Sequence, residues 1–302
     1  MSGCPAAARP QALSIRRISR VVSDCKRAES FYGAALGFRT VSRAPLAAGE
    51  LRALGAGGMA AEEVVMRLGA EQIALVQFDA PGRPYPADSR SDDAWFQHLA
   101  LIAADMDAAY ARLRAAYGWR AISAGGPQTL PAANGGGSAF KFRDPDGHPL
   151  ELRWLAPGKG RDVWRGRPLA AGTLGIDHSA LAVRDARRSL SFYAGLGFRL
   201  TGHSRNRGPA QSHLDGLPHA RVLVSALRPA SADGPGLELL AYRPPGRCAA
   251  PTNLNDFSTD WVTLQVTGPP AGTVADAEPL ALADPDGHRL LLIPSGASTV
   301  RA

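Results

Sequence analysis

Seven histidines and two leucine-flanked glutamates are where this sequence has the side chains for chemistry. Glu151 lies in Leu150-Glu151-Leu152, and Glu238 lies in Leu237-Glu238-Leu239. Side chains alternate along a strand, so the leucines of each triplet share one face and the glutamate takes the other. By the same alternation, His98 (in FQHLAL) shares a face with Ala100 and Ile102, and His178 shares one with Ala180 and Ala182. If those faces line a cup, two carboxylates sit in mostly apolar surroundings. Desolvation then costs on the order of several kcal/mol per ion unless a cation compensates. Imidazoles and carboxylates together suit a borderline or hard divalent ion: Zn, Ni, Co, Mn or Fe(II). A lone strand histidine is more often structural and a lone strand glutamate more often faces water, so the weight falls on whether the four residues recur in a pattern.

The pattern is an internal repeat. Residues 24–39 read DCKRAESFYGAALGFR and residues 185–199 read DARRSLSFYAGLGFR, with Asp seven residues before Phe-Tyr in both. A second phrase closes each half: RDPDGHPLEL at 143–152 and ADPDGHRLLL at 283–292. Asp24 and Asp185 follow alternating apolar runs and precede apolar residues at helical spacing (Ala28, Phe31, Ala35), which predicts N-caps between a strand and an amphipathic helix. Gly37 and Gly197 are expected to end those helices in left-handed turns. The Asp-Pro-Asp-Gly phrases predict tight turns into a final strand. A strand at 96–103 and a helix capped by Asp105, carrying Met106, Tyr110, Leu113 and Tyr117, make the first half itself two strand–helix units. The expected organisation is a disordered tail (1–12), a first domain (13–156), a linker (157–171) and a second domain (172–295).

Four such units, with the FY…LGF and DPDGH phrases each present twice, resemble the vicinal oxygen chelate superfamily, which includes glyoxalase I, extradiol dioxygenases and bleomycin-resistance proteins. The resemblance implies an α+β fold: tandem βαβββ modules forming two glyoxalase-like domains with cupped mixed sheets. It also implies metal ligands on the first strand of a module (often His) and on its last strand (usually Glu). Aligned within the sequence, module one offers Arg17 and Ala74, module two His98 and Glu151, module three His178 and Glu238, and module four Trp261 and Leu291. Two modules keep both ligands and two keep neither. Sites built within each half would each be half a site; if a site instead forms between modules two and three, His98, Glu151, His178 and Glu238 make one complete set, and the complementary site between modules one and four is empty. Module four is also shortened: 46 residues separate His98 from Asp144, but only 23 separate Trp261 from Asp284.

The remaining histidines fit other roles. His148 and His288 occur in the DPDGH turns of both the intact and the shortened module, which favours a turn role. His203, His213 and His219 match no ligand spacing and are expected at a rim. Arg17 is expected to be a salt-bridged residue at the core edge. The segment 78–95 (FDAPGRPYPADSRSDDAW) predicts an ordered arm along the sheet edge, and YRPPGR at 242–247 echoes its start.

Composition bounds the function classes. The 302 residues, 45% hydrophobic and 20% charged, are enough for two cores and too apolar for a disordered chain. No apolar run approaches the roughly 18 residues of a membrane span. Cys4, Cys25 and Cys248 form neither a disulfide framework nor a CxxC clamp, and the N-terminus lacks a signal-peptide core, so a cytoplasmic protein is expected. The net charge of +7 comes from scattered arginines, with only Lys26, Lys141 and Lys159 as lysines. No basic stripe with interleaved aromatics appears, so neither a nucleic-acid nor a membrane partner is expected.

The resemblance thus points first to a metal-dependent lyase or isomerase of the glyoxalase type. It would act on a small carbonyl compound through an enediolate or enolate, with Glu151 or Glu238 moving the proton. A second expectation is an Fe(II)-dependent extradiol-type dioxygenase. A third is a metal-free binding protein like the bleomycin-resistance proteins, in which Trp261 and Tyr242 would matter more than the four polar residues. Two copies in one chain reproduce a dimer, so a monomer would be self-sufficient.

Overall fold

The structure is a computed structural model describing residues 10–132, 136–164, 172–231, 233–248, 253–267 and 278–295. The first half runs β1 (Ala12–Val21), α1 (Cys25–Leu36), β2 (Arg39–Pro45), α2 (Ala48–Ala53), β3 (Ala61–Leu68) and β4 (Glu71–Phe78). It continues with β5 (Gln97–Ala103), α3 (Met106–Arg114), β6 (Arg120–Ala121), β7 (Gln128–Thr129), β8 (Ser138–Arg143) and β9 (Pro149–Trp154). The second half runs β10 (Thr173–Ala182), α4 (Ala186–Gly195), β11 (Arg199–Arg207), α5 (Pro209–Asp215), β12 (Arg221–Arg228) and β13 (Gly236–Tyr242), then β14 (Asp260–Val266), β15 (Leu280–Ala283) and β16 (Arg289–Pro294). This is an α+β fold with two mixed sheets.

The sheets do not follow the halves. One is ordered β15-β16-β14-β1-β4-β3-β2 and the other β11-β12-β13-β10-β5-β9-β8-β6, with β7 on β8. Each therefore joins strands of the first half to strands of the second, through antiparallel β1–β14 in one and β10–β5 in the other. A single core joins the backs of both sheets to α1, α3 and α4. Ile18 and Ile73 enter it from one sheet, Leu99, Leu101, Leu150 and Leu152 from the other, and Phe31, Leu113 and Tyr193 from the helices.

The expected caps form. Asp24 accepts from Arg27 N, Asp105 from Ala108 N, and Asp185 from Arg187 N and Arg188 N. Gly37 and Gly197 are left-handed, with φ of 77° and 86°. The helix α3 is shorter than its apolar spacing suggests: it ends at Arg114, and Tyr117 is exposed rather than on the packed face. The expected tail also ends sooner. Ala12 opens β1, its N–H bonding Leu196 O at 2.7 Å, while residues 1–9 lie outside the described residues. So does 165–171 of the expected linker. Among the described residues no helix follows β14, and 268–277 lies outside them.

The two repeated phrases touch each other. Tyr32 of the first FY pair donates to Asp144 of the first DPDGH turn at 3.0 Å, and Tyr193 donates to Asp284 at 3.1 Å. The turn histidines hold the sheet: His148 Nε2 lies 2.8 Å from Val21 O, and His288 Nε2 lies 2.9 Å from Ala182 O. Tyr32 carries one further load. It accepts from the fully buried Arg20 at 3.0 Å, and Arg20 also donates to Pro149 O and faces Asp260.

The arm at 79–96 is ordered and clasped. Arg83 donates through its backbone and guanidinium to Asp256, and Arg247 does the same to Asp93. Backbone meets backbone beside each clasp, Gly82 N to Asn255 O at 3.1 Å and Gly246 N to Asp92 O at 3.0 Å. A Cβ at Gly82 would stand 2.4 Å from Asn255 O, and one at Gly246 would stand 2.3 Å from Asp92 O, which is why both positions are glycine.

Tyr32→Phe leaves a buried carboxylate oxygen and a buried guanidinium nitrogen short of a partner, whereas Tyr193→Phe strands only Asp284 Oδ2. Tyr32→Phe should therefore cost about 1–3 kcal/mol and Tyr193→Phe less. Urea unfolding of the two variants checks the order.

Candidate metal centre

The pairing of β10 with β5 brings the four sequence-singled residues together. Ala180 lies opposite His98, and His178 opposite Ala100, so the two histidines project from the same face on adjacent strands. Parallel pairing of β5 with β9 sets Ala100 beside Glu151, and pairing of β10 with β13 sets Ala180 beside Glu238. Glu151 Oε2 lies 2.8 Å from His98 Nε2, and Glu238 Oε2 lies 3.3 Å from His178 Nε2. The imidazole centroids are 5.8 Å apart. Ligand atoms of His98, Glu151 and His178 all fall within 4.8 Å of one another; Glu238 touches this trio through His178 but is not part of it.

The donor set fits a cation. His98 and Glu151 are close but not in hydrogen-bond geometry, so neither ring nitrogen of the fully buried His98 has a hydrogen-bond partner, and nor does His178 Nε2. Buried polar atoms without partners are costly in a native interior, and a shared ion is one way to satisfy several at once. The other ring nitrogen of His178 is 3.1 Å from Asp177, which orients the ring and leaves Nε2 facing the trio. Asp177 is faced in turn by Arg228 at 3.6 Å.

Burial and its neighbours set the protonation. Burial first, then the Lys141 ammonium, pushes His98 down to about 3. For His178 burial acts downward, but Glu238 and Asp177 outweigh it and raise its pKa above the ordinary value. Burial would raise Glu151, yet His98, Lys141 and Arg153 hold its carboxyl well below the usual range. Lys141 is kept as an ammonium against burial by Asp215, 2.6 Å away, with help from Glu151 and Glu238.

A cavity of about 270 Å³ opens beside the cluster, lined by His98, Lys141, Glu151, Arg153, His203, Asn206, Gln211, Val224, Glu238 and Tyr242 among others. The short helix α5 contributes to its wall: Asp215 anchors it to β8 through Lys141, Leu214 packs on Leu130 and Ala139, and Gln211 faces in. Neither α5 nor its counterpart α2 is visible in the spacing of apolar residues, because each is under two turns long. Lys141, Arg153 and Asp177 were also missed. The available signal was position, since Arg153 is two residues beyond Glu151 and Asp177 adjoins His178. Of the rim histidines, His203 lines this cavity, while His213 and His219 line a neighbouring one.

The corresponding face of the other sheet is filled. Ala74, Trp261 and Leu291 are buried in one apolar cluster with Val21, Val76, Phe78, Leu51 and Leu54, the last two brought by α2 and its end. Arg17 lies at the edge of this fill, paired with Glu50 at 2.7 Å and Glu63 at 2.9 Å. Trp261 is thus not at the cup beside the cavity, as a binding-protein reading would place it; Tyr242 is.

Against known proteins, residues 14–152 match the sequence family described as the Glyoxalase/Bleomycin resistance protein/Dioxygenase superfamily. The first half of this chain belongs to that superfamily. Glyoxalase I from Zea mays has a similar fold over most of both chains (TM-score 0.58, 16% identity, 93% of this chain and 92% of that one), and a variant of it gives a TM-score of 0.60 at 16% identity, with 93% and 92% covered. A putative dioxygenase from Bacillus subtilis is similar at a TM-score of 0.53 and 11% identity, over 93% of this chain and 85% of that one. At these identities the likeness is one of fold. No curated protein sequence matches the chain. No helix among the described residues is long and apolar enough to cross a membrane.

A cation at the cluster must displace the proton of His178 but finds none to displace on His98. Its affinity should therefore fall as pH drops through the raised pKa of His178, with a slope of one proton rather than two. Asp177→Asn removes one of the raising carboxylates and should move that fall to lower pH. Metal titrations between about pH 5 and 8, around the ordinary histidine value, check both.

Proposed function

We propose that the protein is a metal-dependent lyase or isomerase of the glyoxalase type, acting on a small carbonyl compound at the His98, Glu151, His178 and Glu238 cluster. The observation that supports it is the convergence of two imidazoles and two carboxylates, with three ring nitrogens that make no hydrogen bond, beside a cavity of about 270 Å³ that His98, Glu151 and Glu238 line. A divalent ion held there would supply Lewis acidity toward adjacent substrate oxygens. His178 is oriented for this by Asp177, and Glu151 is held ionised in the trio. Glu238 stands outside the trio and is the less buried carboxylate, 18% exposed against 6% for Glu151. It is therefore the better placed to leave its histidine and take a proton from the carbon next to a bound carbonyl, returning it at the neighbouring carbon.

The trio itself favours a second reading. Two histidines and one carboxylate with open positions are the donor set of non-haem Fe(II) oxygenases. Under that reading Glu238 is a bystander, and oxygen uptake with Fe(II) and a catechol is the readout.

Elemental analysis after reconstitution should find one ion per chain, lost in His178→Ala/Glu238→Ala and kept in Trp261→Phe. Glu238→Gln should retain most of the metal while lowering turnover of the best carbonyl substrate by roughly 10²–10⁴-fold. Absence of metal from every reconstituted sample would sink both readings.

A further inference from the structure

Four charged side chains line the cavity: Lys141, which is paired outside the lining, and Glu151, Glu238 and Arg153, whose charges act on one another. Lys141 faces Asp215 at 2.6 Å, and Arg228 faces Asp177 at 3.6 Å. Arg153 follows Glu151 by two residues on β9, so it projects from the same face, and it lines the same cavity. Its Nε is buried and without a hydrogen-bond partner among the described residues, while Glu238, Glu151 and Asp177 stabilise its charge through space. An arginine held this way presents a planar fork of donors suited to a carboxylate.

The charge balance points the same way. With Lys141 and Arg228 paired, Glu151 and Glu238 leave two negative charges and Arg153 one positive. Adding the divalent cation of the proposed function leaves one positive charge in excess, and a substrate with a single negative charge closes it. Two further acceptors in the lining, Asn206 Oδ1 and Gln211 Oε1, are buried and unpartnered, ready for hydroxyl donors. The cavity is slightly smaller than the ~300 Å³ at which sites for drug-sized ligands begin.

We propose that Arg153 is a substrate-anchoring residue, and that the substrate is a small monoanionic carbonyl compound, an α-oxo or α-hydroxy carboxylate, whose carboxylate is held by the Arg153 guanidinium while its neighbouring oxygens face the His98/Glu151/His178 trio. This rests on the proposed function for the cation but assigns the charge and class of the substrate independently of the reaction.

The test is binding, measured by calorimetry with pyruvate and its neutral near-isostere butane-2,3-dione, on wild type, Arg153→Gln and Arg153→Lys, with metal content determined in every sample. Wild type should bind pyruvate at least roughly ten-fold more tightly than the dione, the scale of one hydrogen bond to a charged group. Arg153→Gln should erase that preference with metal content unchanged, and Arg153→Lys should keep part of it. A preference that survives in Arg153→Gln, or a wild type that binds both equally or neither, overturns the anchor and leaves the metal reading intact. A wild type that takes up no metal yet prefers pyruvate in an Arg153-dependent way does the opposite, removing the metal reading and keeping the anchor.

Discussion

Everything at the candidate centre depends on one antiparallel pairing, β5 against β10. Those strands belong to opposite halves of the sequence, and neither carries more than one histidine of the cluster. A strand pair fixes its side chains to one face or the other, and a slip of one residue would send His98 to the helix side and bring Leu99 into the cup. Register is therefore as much a part of the centre as the ligands are. It is held from both sides: the apolar faces of β5, β9, β10 and β13 sink into the shared core, and the arm leading into β5 is clasped through Arg83–Asp256 and Arg247–Asp93.

The same architecture appears twice with opposite content. In one cup the concave face carries imidazole, carboxylate and ammonium groups, whose desolvation works against folding. In the other, the equivalent positions carry Trp261, Leu291 and Ala74 under a short helix that supplies Leu51 and Leu54, and their burial works for it. Since both sheets share one core, the apolar cup stabilises the frame in which the polar one is held.

Much of this was legible in the sequence because the informative signals were local or repeated. The Asp caps, the left-handed glycines and the DPDGH turns are decided within a few residues, and all form. The four cluster residues were legible because the resemblance implies ligands on a module's first and last strands and the repeat supplies the alignment that locates those positions without knowledge of the pairing. What stayed hidden was long-range or very short. Nothing local says that Lys141 meets Asp215, 74 residues away, or that Arg153 Nε makes no hydrogen bond among the described residues. α2 and α5 are too short to show a helical period, yet one fills a cup and the other walls a cavity. Tyr117 continued the apolar spacing of α3, but the helix stops a turn earlier.

The crossing of the halves has a consequence for how such a chain can change. In an assembly of two identical subunits, any substitution in the cup strikes both cups at once, so a change that fills one also abolishes the other. Here the two cups are encoded at separate positions: Trp261 and His98 occupy equivalent places, as do Leu291 and Glu151, yet each answers to its own codon. A covalent link between the halves makes asymmetry heritable, and a protein built this way can give one cup over to holding the frame and reserve the other for ligands.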